Sequence, residues 1–175
     1  MMQDHRELLS IVIGAFVTLS AVAVTGFFSF RVTRLNLEEQ RRQRSEERKL
    51  EKLEELFLLF DRWQLNFSNI YLHHFRCYKG RLKFEEVTEL VRSPTTLLAP
   101  GDAQKYKMLL EVHFPSLREA YAPIEEARKK IVPFLSDPNV SKLSVQEFTN
   151  AQVAFEKASE DFKSCISALA QNLRV

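Results

Sequence analysis

Glycine is scarce in this chain: Gly14, Gly26, Gly80 and Gly101 are the only four in 175 residues. None of them falls in a Gly-rich motif, which excludes a loop that cradles phosphate with its backbone. Cysteine is scarcer still, and Cys77 and Cys165 have no paired spacing, so no disulfide framework is available. Charge of one sign is also missing. The formal net charge is +2, too small a field to recruit nucleic acid or an acidic substrate. The basic excess lacks interleaved aromatics as well, so no nucleic-acid partner is expected. Neither Gly nor Pro occurs from Phe27 to Lys79, and all six prolines lie between Pro94 and Pro138. The chain therefore reads as an unbroken helical front, a punctuated middle and a proline-free end. It has no internal repeat of the length that builds solenoids.

What is present in abundance is an apolar run. Leu8 to Phe30 reads LLSIVIGAFVTLSAVAVTGFFSF, 23 residues without a charge. As a helix it is about 34 Å long at roughly 1.5 Å per residue, enough to cross a hydrocarbon core about 30 Å thick. Ala21-Val22-Ala23 resembles a signal-peptide cleavage site. However, Asp4-His5-Arg6-Glu7 is not a basic leader, and apolar residues continue to Phe30. The run is expected to anchor the chain as a single-pass transmembrane helix.

Only Arg6 precedes the run, whereas Arg31, Arg34, Arg41, Arg42, Arg44, Arg48, Lys49 and Lys52 follow it. That asymmetry puts the N-terminus outside and the remainder in the cytosol, a compartment where unpaired thiols are ordinary. Arg31, Arg34, Arg41, Arg42 and Arg44 are the residues expected to fix topology and meet lipid headgroups, at about 1 kcal/mol each near an anionic surface. Ser10, Gly14, Thr18, Ala21, Thr25 and Ser29 share one side of the anchor. Small residues let transmembrane backbones approach closely, so this is the candidate association face.

Beyond the anchor, Leu37 to Glu55 is a charged stalk. Glu38/Arg42, Glu38/Arg41 and Glu46/Lys49 stand at helical neighbour spacings there. Leu53, Phe57, Phe60, Gln64, Phe67 and Tyr71 then advance at heptad spacing, widened by Leu56, Leu59, Trp63 and Ile70. This helix is expected to stop at Lys79-Gly80. A short helix from Phe84 to Arg92 follows, with Phe84, Val87, Leu90 and Val91 inward, then the apolar loop Pro94 to Pro100. Asp102 is the expected N-cap of a helix carrying Tyr106, Leu109, Leu110 and His113. Leu117, Tyr121, Ile124, Ile131 and Leu135 mark another helix, with a kink expected at Pro123. In the last helix Ser144 and Glu147 fit a capping box. Phe148, Ala151, Phe155, Ala158, Phe162, Cys165 and Leu169 form its expected seam.

The expected fold class is all-α, a single N-terminal transmembrane helix followed by a cytosolic antiparallel helical bundle. Residues 1–7 form a short extracytosolic N-terminus, 8–30 the anchor, 31–52 the stalk and 53–175 the bundle.

Chemistry-bearing residues are few. His73, His74 and Cys77 are near one another along a helix, and such sets hold zinc. A closed site needs about four ligands, and only His113 and Cys165 remain on the same side of the membrane. No Glu-x-x-His pair is present for a carboxylate-bridged metal site. No catalytic residue, metal ligand or cofactor is therefore assigned, and no enzyme is expected. The expected function is a membrane-anchored interaction or adaptor module, whose partners are the membrane and a cytosolic protein, a second copy, or both. The alternative is a membrane effector that oligomerises through its transmembrane helix.

Overall fold

The computed structural model describes residues 2–92 and 99–173, with side chains from Thr25 onward. The described residues are all-α, without strands. They form α1 (Met2–Tyr78), α2 (Phe84–Arg92), α3 (Asp102–Met108), α4 (Arg118–Ile131), α5 (Pro138–Ser141) and α6 (Val145–Asn172). Two compact units divide the chain, Met1–Glu47 and Arg48–Val175, and α1 contributes to both.

In the first unit every described side chain from Thr25 to Ser45 is exposed. Its helix is supported locally. The Arg34 Nε donates to Glu38 at 2.9 Å and Arg42 pairs with Glu46 at 3.4 Å, both four residues apart. These are not the partners expected from spacing, because Glu38 turns toward the N-terminal side to meet Arg34. Exposed pairs of this kind contribute about 0.3–0.5 kcal/mol each.

The second unit contains the buried core of the described residues, from Leu53 to Ile166. Ring contacts fix its topology. Phe60 meets Phe162, Phe67 meets Phe155 and Phe75 meets Phe148, so α6 runs antiparallel to this part of α1. Tyr121 meets Phe162, and Phe134 stacks on Phe148 at 4.6 Å, so α4 and the turn after it also run antiparallel to α6. α3 lies against α1 through the Phe60–Tyr106 and Trp63–Tyr106 contacts. Each fully buried phenylalanine or leucine stabilises the packed state by about 1.5–3 kcal/mol.

Helix ends follow local chemistry. α1 closes in a Schellman motif: Gly80 N–H donates to the Cys77 carbonyl at 2.8 Å, and Arg81 N–H to Arg76 at 2.9 Å. Gly80 has φ +67°, which glycine adopts without the penalty of a β-carbon. At α6, Ser144 and Glu147 exchange hydrogen bonds in a complete capping box.

Other expectations are corrected. Gly101, at φ 95°, is the N-cap of α3, and Asp102 instead accepts a hydrogen bond from Ala99 N–H at 3.0 Å. A turn of π-helix (Leu109–His113) continues α3, closed by Phe114 N–H on the Leu109 carbonyl at 3.0 Å. In α2 only Val87 is buried, while Leu90 is exposed. Leu117 and Leu135 belong to 3₁₀ turns that flank α4 rather than to α4 itself. The seam of α6 is Phe148, Ala151, Phe155, Ser159, Phe162 and Ile166, so Cys165 is exposed. Heptad spacing holds only if helices supercoil. An uncoiled α-helix keeps its period of about 3.6, and the contact line drifts from Ala158 and Cys165 onto Ser159 and Ile166.

Candidate functional site

Of the expected association face, Ser10, Gly14, Thr18 and Ala21 lie on α1 with side chains outside the described residues. Thr25 and Ser29 are exposed. Among the described residues no helix is long and apolar enough to cross a membrane. The expected span at 8–30 lies, from 8 to 24, outside the described side chains, and the apolar loop lies outside them up to Leu98. Of the expected headgroup residues, Arg31 sits over the Phe27 ring at 5.8 Å, Arg34 and Arg42 are paired as above, and Arg41 and Arg44 are exposed.

At the far end of α1, His74 is buried against the Phe84 ring and its Nδ1 has no hydrogen-bond partner. Burial, and then the neighbouring His73, lower its pKa and keep the ring neutral. Burial also raises the pKa of Cys77, with Asp137, Glu85 and Glu86 adding to the effect. A thiol held protonated in this way is a poor nucleophile and a poor metal ligand. Among the described residues no three His, Cys, Asp or Glu side chains converge as a metal site would require.

A cavity with both aromatic and charged walls lies elsewhere. A cleft of about 360 Å³ opens between α1, α3 with its π turn, and α4. Trp63, Tyr106 and Tyr121 supply aromatic walls; Lys107, Arg118 and Arg128 supply cations, and Glu111 and Glu125 supply carboxylates. The planes of Trp63 and Tyr106 are within 4° of parallel, and Tyr121 stands at 62° to Tyr106 with centroids 5.7 Å apart. Arg118 donates to the Glu111 carbonyl at 3.0 Å, which ties the start of α4 to the π turn. Lys107 pairs with the Glu111 carboxylate at 3.7 Å.

Two polar atoms beside these walls are buried: the Tyr106 hydroxyl, which has the Tyr121 hydroxyl as its side-chain hydrogen-bond partner, and Arg128 Nε. Tyr106 is only 6% exposed. Burial, then Tyr121 and Glu125, push its ionisation far above the ordinary range, so the hydroxyl remains a neutral donor. Burial likewise raises the pKa of Tyr121, Glu125 adds to this, and Tyr106 and Arg128 oppose it. Sequence reasoning assigned Tyr106 and Tyr121 to the core and passed over Arg128. A clue was present in the sequence: Arg118, Tyr121, Glu125 and Arg128 follow one another at spacings of three and four, a polar stripe on one side of α4.

A second hollow, of about 400 Å³, is lined mainly by Leu53, Phe57, Leu58, Ile166 and Ala170, and has little polar chemistry. Comparison with known proteins finds no match to this chain among protein-family models, curated proteins or solved structures. The functional reading therefore rests on its own residues.

Proposed function

We propose that this protein is a single-pass membrane-anchored helical interaction module, which confines binding of a cytosolic protein to the inner face of the membrane. The observation that carries the proposal is the solvent change at Phe30: 23 uncharged residues are followed at once by an arginine-rich stretch. Two features support it. The buried core among the described residues draws on positions from Leu53 onward. The arginines after the run are exposed, where headgroups and water are equally accessible to them. Tethering in two dimensions raises effective concentration without any new contact, and this gives the anchor a physical purpose.

The alternative, an effector that assembles through the Ser10/Gly14/Thr18/Ala21/Thr25/Ser29 face, makes a different prediction in the same experiment. Full-length protein extracted in mild detergent should carry a second polypeptide at fixed stoichiometry. A homo-oligomer that falls apart on Gly14→Leu and Ala21→Leu would replace the adaptor reading with the effector reading. A lone monomer would reject both.

A further inference from the structure

We propose that the outward face of α1 between residues 51 and 79 is a docking surface for a second copy of this chain, which pairs antiparallel about Leu65. This inference goes beyond the adaptor reading and does not depend on it. Three features support it: a line of exposed leucines, the charges at its two ends, and a hollow beside it. All three belong to the Arg48–Val175 unit.

Leu58, Leu65 and Leu72 follow one another at heptad intervals and are 56%, 48% and 38% exposed. Single exposed leucines are ordinary on a folded surface, but three in one line form a patch. A heptad is close to two helical turns, so the three share one side of α1, opposite Leu56, Phe60 and Tyr71 of the core. The ends of the line select the occupant. Glu51 and Glu54 are exposed at its start, Arg76 and Lys79 at its finish. A second copy laid parallel would set each charge against its own kind, which is destabilising. Laid antiparallel about Leu65, it sets Glu51 opposite Lys79, Glu54 opposite Arg76 and Leu58 opposite Leu72, because each pair is symmetric about that residue. Every pairing then occurs twice, as a two-fold contact requires. The charges nearest the centre, Asp61 and Arg62, are already paired with Lys163 at 2.7 Å and Asp102 at 3.8 Å, so the leucines decide the contact there. Finally, the hollow of about 400 Å³ lined by Leu53, Phe57 and Ile166 opens beside Leu58. That is the level at which Leu72 of the second copy arrives, a knob placed at a hole.

The test is sedimentation of full-length protein in detergent. The contact is small, so a dimer that dissociates at about 10 µM is expected. Leu65→Lys should weaken it by about tenfold or more, whereas Val153→Lys, at an exposed position of α6, should leave it unchanged. Glu51→Lys and Lys79→Glu should each weaken it about threefold, and the two together should restore it. A parallel pair would gain nothing from that exchange. Gly14→Leu with Ala21→Leu should leave this dimer intact, which separates it from association through the anchor. Orientation is read with a short bismaleimide in a Cys77→Ser, Cys165→Ser background. It should join Leu58→Cys of one chain to Leu72→Cys of another, and not Leu58→Cys to itself, since those positions stand about 21 Å apart in the antiparallel pair at roughly 1.5 Å per residue. Unaltered helical content and melting temperature in each variant would separate lost association from lost folding. The proposal is overturned if the protein is monomeric at about 100 µM, a tenfold excess over the expected constant. It is also overturned if folded Leu65→Lys associates as tightly as the parent, or if Leu58→Cys joins to itself rather than to Leu72→Cys.

Discussion

Two stretches of the same helix obey different physics. From Arg31 to Lys49, α1 is exposed and charged, and it is supported by pairs such as Arg34–Glu38 and Arg42–Glu46. From Leu53 to Tyr71 it buries Leu53, Leu56, Leu59, Phe60 and Tyr71 against partners more than forty residues away. The first stretch is helical because nothing in it breaks a helix: it has neither Gly nor Pro and many good helix formers. The second is helical because one face of it is core. Substitutions should therefore have little effect in the first and large effects in the second.

The largest effect is expected at Phe155, fully buried and in contact with Trp63, Phe67 and Tyr71. Phe155→Ala should cost about 3–5 kcal/mol in denaturant unfolding, through lost burial and the cavity left behind. Next comes an alkaline transition. Tyr71 donates to Glu156 at 2.9 Å, and chiefly through burial its pKa is pushed up to about 12 from an ordinary 10.0. The folded state then holds a proton that the unfolded state has released. Stability from this group is present below pH 10 and lost as pH rises toward 12. Tyr71→Phe should make the alkaline loss of stability shallower, measured by urea titration across that window. Ser144→Ala removes the cap of α6 and should cost about 1 kcal/mol. Smallest of all, Arg34→Gln with Glu38→Gln should shift stability by less than about 0.5 kcal/mol. A larger shift would mean that the charged stretch has tertiary partners after all.

The same contrast explains what was legible in the sequence. Features set within four residues of themselves could be read: the Gly80 stop, the Ser144/Glu147 box, the extent of α2 and the all-α class. Features set by partners distant in sequence could not. Whether the α6 seam passes through Cys165 or Ile166 depends on whether helices coil around one another, and composition does not encode that choice. Gly101 took the cap from Asp102 because the backbone enters α3 through a left-handed residue, a matter of chain direction. Phe134 became core by stacking on Phe148 across the bundle, although two prolines flank its region. The cleft was hidden for the same reason, since its walls come from three segments, each represented by an aromatic residue read as core packing. The alternation of Arg118, Tyr121, Glu125 and Arg128 is visible in the sequence, but it becomes the wall of a cleft only when α1 and α3 lie against it.

The central claim is that Phe30 marks the boundary between lipid and cytosol, and Cys165 offers a direct probe of it. Its thiol is exposed on α6, and Cys77→Ser leaves it as the single cysteine. Cells expressing that variant would be treated with a membrane-impermeant maleimide before and after permeabilisation, and the membranes then washed at alkaline pH. The account predicts a protein retained in the washed membrane, with Cys165 unlabelled in intact cells and labelled once they are opened. Labelling in intact cells, or release of the protein by the wash, would contradict it.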